Sequence, residues 1–323
     1  MKISFWGCRG SLPASYSGKN TRTKVQEIVE LVLQSGLESR DQIDAFVDDL
    51  PFHLKGGFGT NTSCVQISSD GDELVICDAG SGLRDLGHSL MAMAEKKPSV
   101  MHFFISHLHW DHIQGFPFFI PAYIPGTTIH IYGCHQDLEE TFIRQQAAPT
   151  FPVPLKEMGS EIHFHVLDRD KKHHIAGKEI SIIEQPHPGK SYGYRFHQSG
   201  KTVVYSTDAE HTEDSQSDDY RFLDFFKDAD ILIFDGQFNL ADHLFTKQNW
   251  GHSSNLVGIE LAVRAGVKKL CLFHSDHTFV DHDLTKFLSD SKRYLNIYDE
   301  GSELDVVIAY DGLVLDLADS TPV

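Results

Sequence analysis

Residues 100–106 read VMHFFIS, and the next six residues are His107-Leu108-His109-Trp110-Asp111-His112. The first segment has the length and the aromatic and β-branched content of a buried strand. The second puts three imidazoles and a carboxylate within six residues at the point where that strand ends. A tight loop after a strand end can turn all four side chains into one cleft. Imidazole nitrogen and carboxylate oxygen suit Zn²⁺, with Mn²⁺ or Fe as alternatives. Four donors so crowded can serve two ions rather than one. This segment therefore fixes a strand-to-loop geometry and points to metal chemistry.

The rest of the chain supplies an alternation of strands and helices. KISFWG at the N-terminus reads as a strand. Residues 23–36 carry Val25, Ile28, Val29, Val32 and Leu33 at helical spacing, with Gly36 as a stop. A second helix is expected from Ser39 as N-cap through Ile43, Phe46, Val47 and Leu50 to Pro51. SCVQIS and ELVICDAG flank Asp70-Gly71, a hairpin signal. Later strands are expected at TIHIYG, EIHFHVL, EISIIEQ, YGYRFH, TVVYST, DILIFD, KLCLFH and LDVVIAYDG. Helices are expected at LRDLGHSLMAMA, HQDLEETFIRQQAA, DDYRFLDFFKDA, SNLVGIELAVRAG and HDLTKFLSDSKRYL. No Pro/Gly/Ser-rich linker and no solenoid-length repeat divides the chain. The expectation is one α/β domain over residues 1–323, two packed sheets with outer helices, and a helical insertion at residues 14–55.

Charge narrows the partners. The chain has 28 Lys+Arg against 46 Asp+Glu, a formal net charge of −18. Such a surface repels phosphate backbones, so no extended nucleic-acid surface is expected. No apolar run reaches the roughly 18 residues of a membrane span. The first residues, MKISFWGCRGS, lack the apolar core of a signal peptide, so the expected compartment is the cytoplasm. Five cysteines, none in a C-x-x-C pair, read as buried free thiols.

The pattern His107-x-His109-x-Asp111-His112 resembles the signature of the metallo-β-lactamase superfamily. The resemblance implies an αββα sandwich and a dinuclear metal site between its sheets. It also implies three further ligands, each after a later strand: His187 in EQPHPG, Asp208 in VVYSTDAEH and His274 in LCLFHSDH. One ion would take His107, His109 and His187, the other Asp111, His112 and His274, with Asp208 bridging. Asp78, in ICDAGSG, resembles the residue that braces the metal-binding loop in that family. Asp276 and His277 are candidates to orient ligands. Arg9 and Asn61 belong to family-like opening elements, where turn or salt-bridge roles are expected of them.

Metals and fold alone do not select a substrate. Water held by two such ions ionises near neutral pH, and Asp208 and Asp111 could orient it. A phosphodiester expels an alkoxide of high pKa, so a general acid is valuable, by roughly 10²–10⁴-fold. His252, in WGHSSN before a helix, is a histidine outside the metal set. The segment from FDGQFN to LFHSDH resembles the phosphodiesterase branch of the superfamily, whose extra histidine corresponds to His252. The expected activity is therefore hydrolysis of a small phosphodiester, above all a 3′,5′-cyclic nucleotide, by metal-held hydroxide with Asp111 and His252 as catalytic groups. The alternatives are a ribonuclease Z-like RNA endonuclease and a lactone or thioester hydrolase. A homodimer is the one protein partner the resemblance suggests.

Overall fold

A computed structural model describes residues 1–37, 39–68, 73–93, 98–239, 247 and 249–318. In chain order the strands are β1 (Lys2–Gly7), β2 (Arg9–Gly10), β3 (Cys64–Ser68), β4 (Glu73–Cys77), β5 (Val100–Phe104), β6 (Thr128–Gly133), β7 (Glu161–Val166) and β8 (His173–Ile175). They continue as β9 (Lys178–Gln185), β10 (Ser191–Gln198), β11 (Lys201–Ser206), β12 (Ile231–Asp235), β13 (Lys269–Phe273), β14 (Ser275–Asp276), β15 (Asp305–Ile308) and β16 (Val314–Asp316). Two seven-stranded sheets result, ordered β16-β1-β3-β4-β5-β6-β7 and β15-β13-β12-β11-β10-β9-β8.

Side-chain alternation explains the layers. In β5, Met101 and Phe103 join Leu83, Leu86 and Leu90 of the helix Leu83–Ala92 in an outer core. Phe104 points the other way, into the inter-sheet core with Val75, Tyr194, Val203, Tyr205 and Phe273. The second sheet has its own outer core, in which Leu232, Phe234, Leu270 and Leu272 meet Ile259 and Ala262 of the helix Asn255–Arg264. Apolar residues on both faces of these strands thus give helix–sheet–sheet–helix stacking. Two tyrosines tie the sheets together: Tyr194 donates to the carbonyl of Ile105 (2.7 Å) and Tyr205 to the Asp78 carboxylate (2.7 Å).

Strand direction locates the site. β4 and β5 are parallel, as are β11, β12 and β13. β9 runs with β11, because each is antiparallel to β10. The loops after β4, β5, β9, β11, β12 and β13 therefore leave from one edge, beyond the carboxyl ends of the strands, where ligand sites of such sheets lie.

Several expectations are refined. The first insertion helix spans Gly18–Ser35, five residues earlier than its apolar pattern. Ser17 caps it by accepting from the Asn20 N–H, and Gly36 closes it in the left-handed region. Propensity and caps extend a helix beyond its apolar stripe. The second begins as a 3₁₀ turn and runs Ile43–Asp49; Pro51 ends it and leads into a short helix, Phe52–Lys55. The insertion does not build a core: Gly18–Ser35 has no buried residue, and Val25, Val29 and Leu33 are exposed. Leu50, Leu54 and a Lys24–Asp281 ion pair of 2.9 Å anchor it. The segment after LDVVIAY turns and returns as β16 beside β1, closing the first sheet. β8 was too short to show in the sequence. The turn at Asp70-Gly71 lies outside the described residues, though β3 and β4 pair antiparallel as a hairpin requires. All five cysteines are free, and all but Cys134 are buried.

Candidate metal centre

The loop after β5 delivers its histidines in two directions. His107, His112 and Asp111 are buried, while His109 opens to solvent. The loop after β9 brings His187 to His109, with Nε2 and Nδ1 3.1 Å apart. The loop after β13 brings His274 beside His112, Nε2 to Nε2 3.2 Å, and its Nε2 lies 3.1 Å from Asp111 Oδ2. Asp208, after β11, stands between the two sets. Its Oδ2 faces His107 Nε2 (3.6 Å) and His187 Nε2 (3.8 Å), and its Oδ1 faces His112 Nε2 (3.2 Å) and His274 Nε2 (3.4 Å). All seven residues named from the sequence thus meet in one place. The donor atoms fall into groups that a metal ion could span, among them His107 with His109 and His187, and Asp111 with His112 and His274; His252 also joins such groups, with His187 and Asp208 and with Asp235 and His274.

The backbone is bent to achieve this. Asp78, Asp208 and His274 take φ of 59°, 53° and 61°, a region that L-residues avoid. Each such residue costs about 1–3 kcal/mol and persists only where the surroundings enforce it. Close approach adds a second constraint. A Cβ on Gly10 would lie 2.5 Å from His274 Nδ1, and one on Gly251 2.3 Å from His187 Nδ1, so both positions exclude a side chain.

Outer hydrogen bonds set the imidazole tautomers. His112 Nδ1 donates to Asp78 Oδ2 at 2.7 Å, and the same carboxylate accepts from the backbone and hydroxyl of Ser106 at 2.7 and 2.8 Å. His187 Nδ1 donates to the Gly251 carbonyl at 2.8 Å. In both rings Nε2 faces the cleft, as in metal-ligating histidines. Burial opposes charge on His112, but Asp208, Asp111 and Asp78 outweigh it and raise that ring well above the ordinary imidazole range, so a bound ion would take the place of its Nε2 proton. Burial and then His112 hold His107 well below the ordinary imidazole range, which keeps it a neutral donor. Burial opposes ionisation of Asp111 and Asp208, but His112 overrides it and holds both carboxyls well below their usual range. The buried His107 Nε2 has no hydrogen-bond partner. An unpartnered imidazole nitrogen facing a shared carboxylate, within a mixed N/O donor set, is what a divalent transition ion requires.

His252 stands beside this group. It is 8% exposed, and its ring lies 5.1 Å from that of His274 and 5.2 Å from that of His187. Its Nδ1 meets Asp235 Oδ2 at 2.8 Å. Burial opposes charge on this ring, yet the Asp235 carboxylate outweighs it and raises the imidazole to about 9. Asp235 is fully buried and also accepts from the backbone N–H of Ala209 at 3.0 Å. Sequence reading missed Asp235, although the signal was there: like Asp78, it ends an apolar strand with a carboxylate.

Other sequence candidates are placed elsewhere. Asp276 Oδ1 accepts from the backbone and hydroxyl of Thr278, at 2.8 and 2.7 Å, and is 3.7 Å from His277. That carboxylate is occupied by its own turn and does not orient the metal set, which corrects the expectation for this pair. Arg9 is buried and donates to the carbonyls of Gly59, Asp276 and Phe279, so it is a strap and not a salt bridge. Asn61 bonds to Asp85 at 2.8 Å. The open cleft, of about 460 Å³, is lined by Ser11, Leu108, His109, Trp110, Asp111, Asp208, His252 and His274. Among the described residues, none of the 14–55 insertion lines it.

A family model described as a beta-lactamase superfamily domain matches residues 74–275. The ribonuclease Z of Methanosarcina acetivorans is 26% identical over 308 residues, covering 80% of this chain and 92% of that protein. The metallo-beta-lactamase fold protein YhfI from Bacillus subtilis is 21% identical and superposes with a TM-score of 0.63, over 97% of this chain and 98% of that one. The short form of human tRNase Z is 16% identical, with a TM-score of 0.58 over 98% of this chain and 99% of that one. Among the described residues, no helix is long and apolar enough to cross a membrane.

Proposed function

Since the chain belongs to the beta-lactamase superfamily and is a hydrolase of the metallo-β-lactamase fold, we propose that it cleaves phosphodiesters and that its substrate is a small one, a 3′,5′-cyclic nucleotide above all. His107, His109 and His187 would hold one divalent ion and Asp111, His112 and His274 the other, with one oxygen of Asp208 turned to each set. Zn²⁺ suits these donors best. Two such ions supply Lewis acidity towards the phosphoryl oxygens and a more acidic water. The protein's own groups do the rest. Asp78 and the Gly251 carbonyl hold His112 and His187 with Nε2 facing inward. Asp111 and Asp208 accept protons from, and so orient, what enters between the sets.

The observation that supports phosphodiesters over thioesters is His252. It is anchored through Nδ1 by Asp235, which leaves Nε2 to hold a proton for an alkoxide leaving group. A thioester expels a thiolate, which gains less from such an acid, whereas a lactone also expels an alkoxide and is separated by the resemblance of the His252 segment to the phosphodiesterase branch. The relatives named ribonuclease Z favour a second reading, cleavage of RNA in the same cleft. The net charge of −18 weighs against a long RNA footprint. A panel of cyclic AMP, cyclic GMP, 2′,3′-cyclic nucleotides, precursor tRNA and a lactone tests the proposal. Turnover of the cyclic nucleotides with precursor tRNA untouched is expected. Preference for precursor tRNA would replace it by the second reading, and preference for the lactone would overturn both.

A further inference from the structure

A second group of histidines lies outside the cleft, on three neighbouring strands of the first sheet. His102 of β5 pairs in register with His130 of β6, and His130 with His163 of β7. In the next row Phe104 pairs with Tyr132, and Tyr132 with His165. Side chains two apart on a strand share a face, so His102, His130, His163 and His165 stand on the face that carries Phe104 and Tyr132. The row grades from buried to open: His102 is 6% exposed, His130 and His165 are half-buried, and His163 is exposed.

The rings are already gathered. His130 is stacked on His102 and on His163, each at a centroid distance of 5.2 Å, and lies 5.2 Å from His165. His130 Nδ1 and His165 Nε2 are 3.0 Å apart. Two nitrogens on a tetrahedral Zn²⁺ with bonds of about 2.0–2.1 Å stand about 3.3 Å apart, so this pair needs little movement. His163 is two residues from His165 and stacked on His130; its nitrogens do not meet the other two in this arrangement, so its exposed ring has to turn to complete the set. Among the described residues, the carboxylate that acts on this group is Glu73. Glu73 lies 3.3 Å from His102, at the buried end, and Lys178 acts on that same end.

From this geometry we infer that His130, His163 and His165 form a third transition-metal site, a sheet-face three-histidine site with its remaining position open to water. All three ligands are imidazoles, which suits Zn²⁺, Ni²⁺, Co²⁺ or Cu²⁺ and disfavours Mg²⁺ or Ca²⁺. Burial first, and then the neighbouring imidazoles, keep His130 and His165 below the ordinary histidine range, so both offer lone pairs at neutral pH. On binding, the ring that donates in the His130–His165 hydrogen bond carries its proton on its other nitrogen. No charge is gained or lost in that change of tautomer.

The test counts metal by difference. Full-length protein and the His163→Ala/His165→Ala variant are equilibrated with Zn²⁺ at about pH 7.5, above the ordinary imidazole range, desalted, and assayed by elemental analysis. The wild type should hold one more ion per chain than the variant, and both should hydrolyse bis-p-nitrophenyl phosphate at the same rate. Equal metal content would overturn the site. A missing ion accompanied by lost hydrolysis would also overturn it, because the ion would then have left the cleft. His130→Gln alone is the second variant. It should lose the same ion and should weaken retention of the untagged protein on an immobilised Ni²⁺ column; unchanged retention and content in it would count against the site.

Discussion

The first sheet carries two sets of histidines, one beyond the end of β5 and one across the middle of β5, β6 and β7. In the cleft, every imidazole but His109 meets a carboxylate or a carbonyl: His112 bonds to Asp78, His187 to Gly251, and Asp208 faces His107, His112, His187, His252 and His274. In the ladder, the imidazoles meet mainly one another, and among the described residues the carboxylate beside them is Glu73, at the buried end. The residue type is the same and the surroundings are not. Carboxylates compensate the charge of bound cations, fix tautomers and hold strained loops in place, so the cleft can concentrate positive charge for chemistry. A patch of neutral donors can bind an ion but offers it no anionic neighbours. It also lacks a group placed to move a proton.

The comparison is broken most severely at Asp208. Asp208→Ala removes both oxygens that face the two cleft sets, and activity should fall to background with both cleft ions lost. The ladder ion should remain. Elemental analysis showing both cleft ions still tightly held in this variant would sink the ligand assignment. Next comes His252→Ala. It should keep both cleft ions and lose roughly 10²–10⁴ in kcat on an alkyl phosphodiester, with a much smaller loss on a p-nitrophenyl ester, whose leaving group hardly needs a proton. Equal losses on the two substrates would assign His252 a structural role. Asp78→Asn is milder. It keeps the shape but weakens the brace on His112, and metal affinity should fall by roughly 10–100-fold. A competition titration with a chelator reads that change, and an unaltered affinity would mean that Ser106 and Tyr205 are the partners that matter to Asp78.

The two sets also differ in how far the sequence reveals them. His107, His109, Asp111 and His112 crowd one loop after an apolar strand, so that part of the cleft was legible locally. His187, Asp208, His274 and His252 were legible through the resemblance to the metallo-β-lactamase superfamily, which implies a ligand after each of several later strands. Asp235 was not, because one carboxylate after DILIFD is indistinguishable from a turn until the fold brings His252 to it. The ladder was hidden for a different reason. His102, His130, His163 and His165 sit inside ordinary strand patterns, and only the register of β5, β6 and β7 lines them up. Register is a property of pairing between distant segments, and no local spacing encodes it. The insertion helix showed its apolar face, but what that face packs against is likewise not a local property.

The smallest expected effect separates the two sets by pH. Burial, then repulsion among neighbouring rings, lowers His130 and His165 below their ordinary range, and His102 likewise. The groups facing them are Glu73, Lys178, Tyr132 and His163, and burial together with like charge prevails over Glu73. An imidazole with a lowered folded-state value leaves stability unaffected at high pH, where it is neutral in both states. As pH falls through the unfolded value of about 6.5, the unfolded chain takes up the proton first, and the folded state loses ground until its own value is passed. Metal-free protein should therefore melt lower at about pH 5.5 than at about pH 7.5, in part through the ladder. In His130→Gln/His165→Gln that drop should be smaller, because two of the reluctant bases are gone, while the cleft contributes equally to both proteins. Thermal melts in the presence of a chelator measure it. The same drop in both proteins would place the acid sensitivity wholly in the cleft and show that the ladder's imidazoles titrate alike in the folded and unfolded chain.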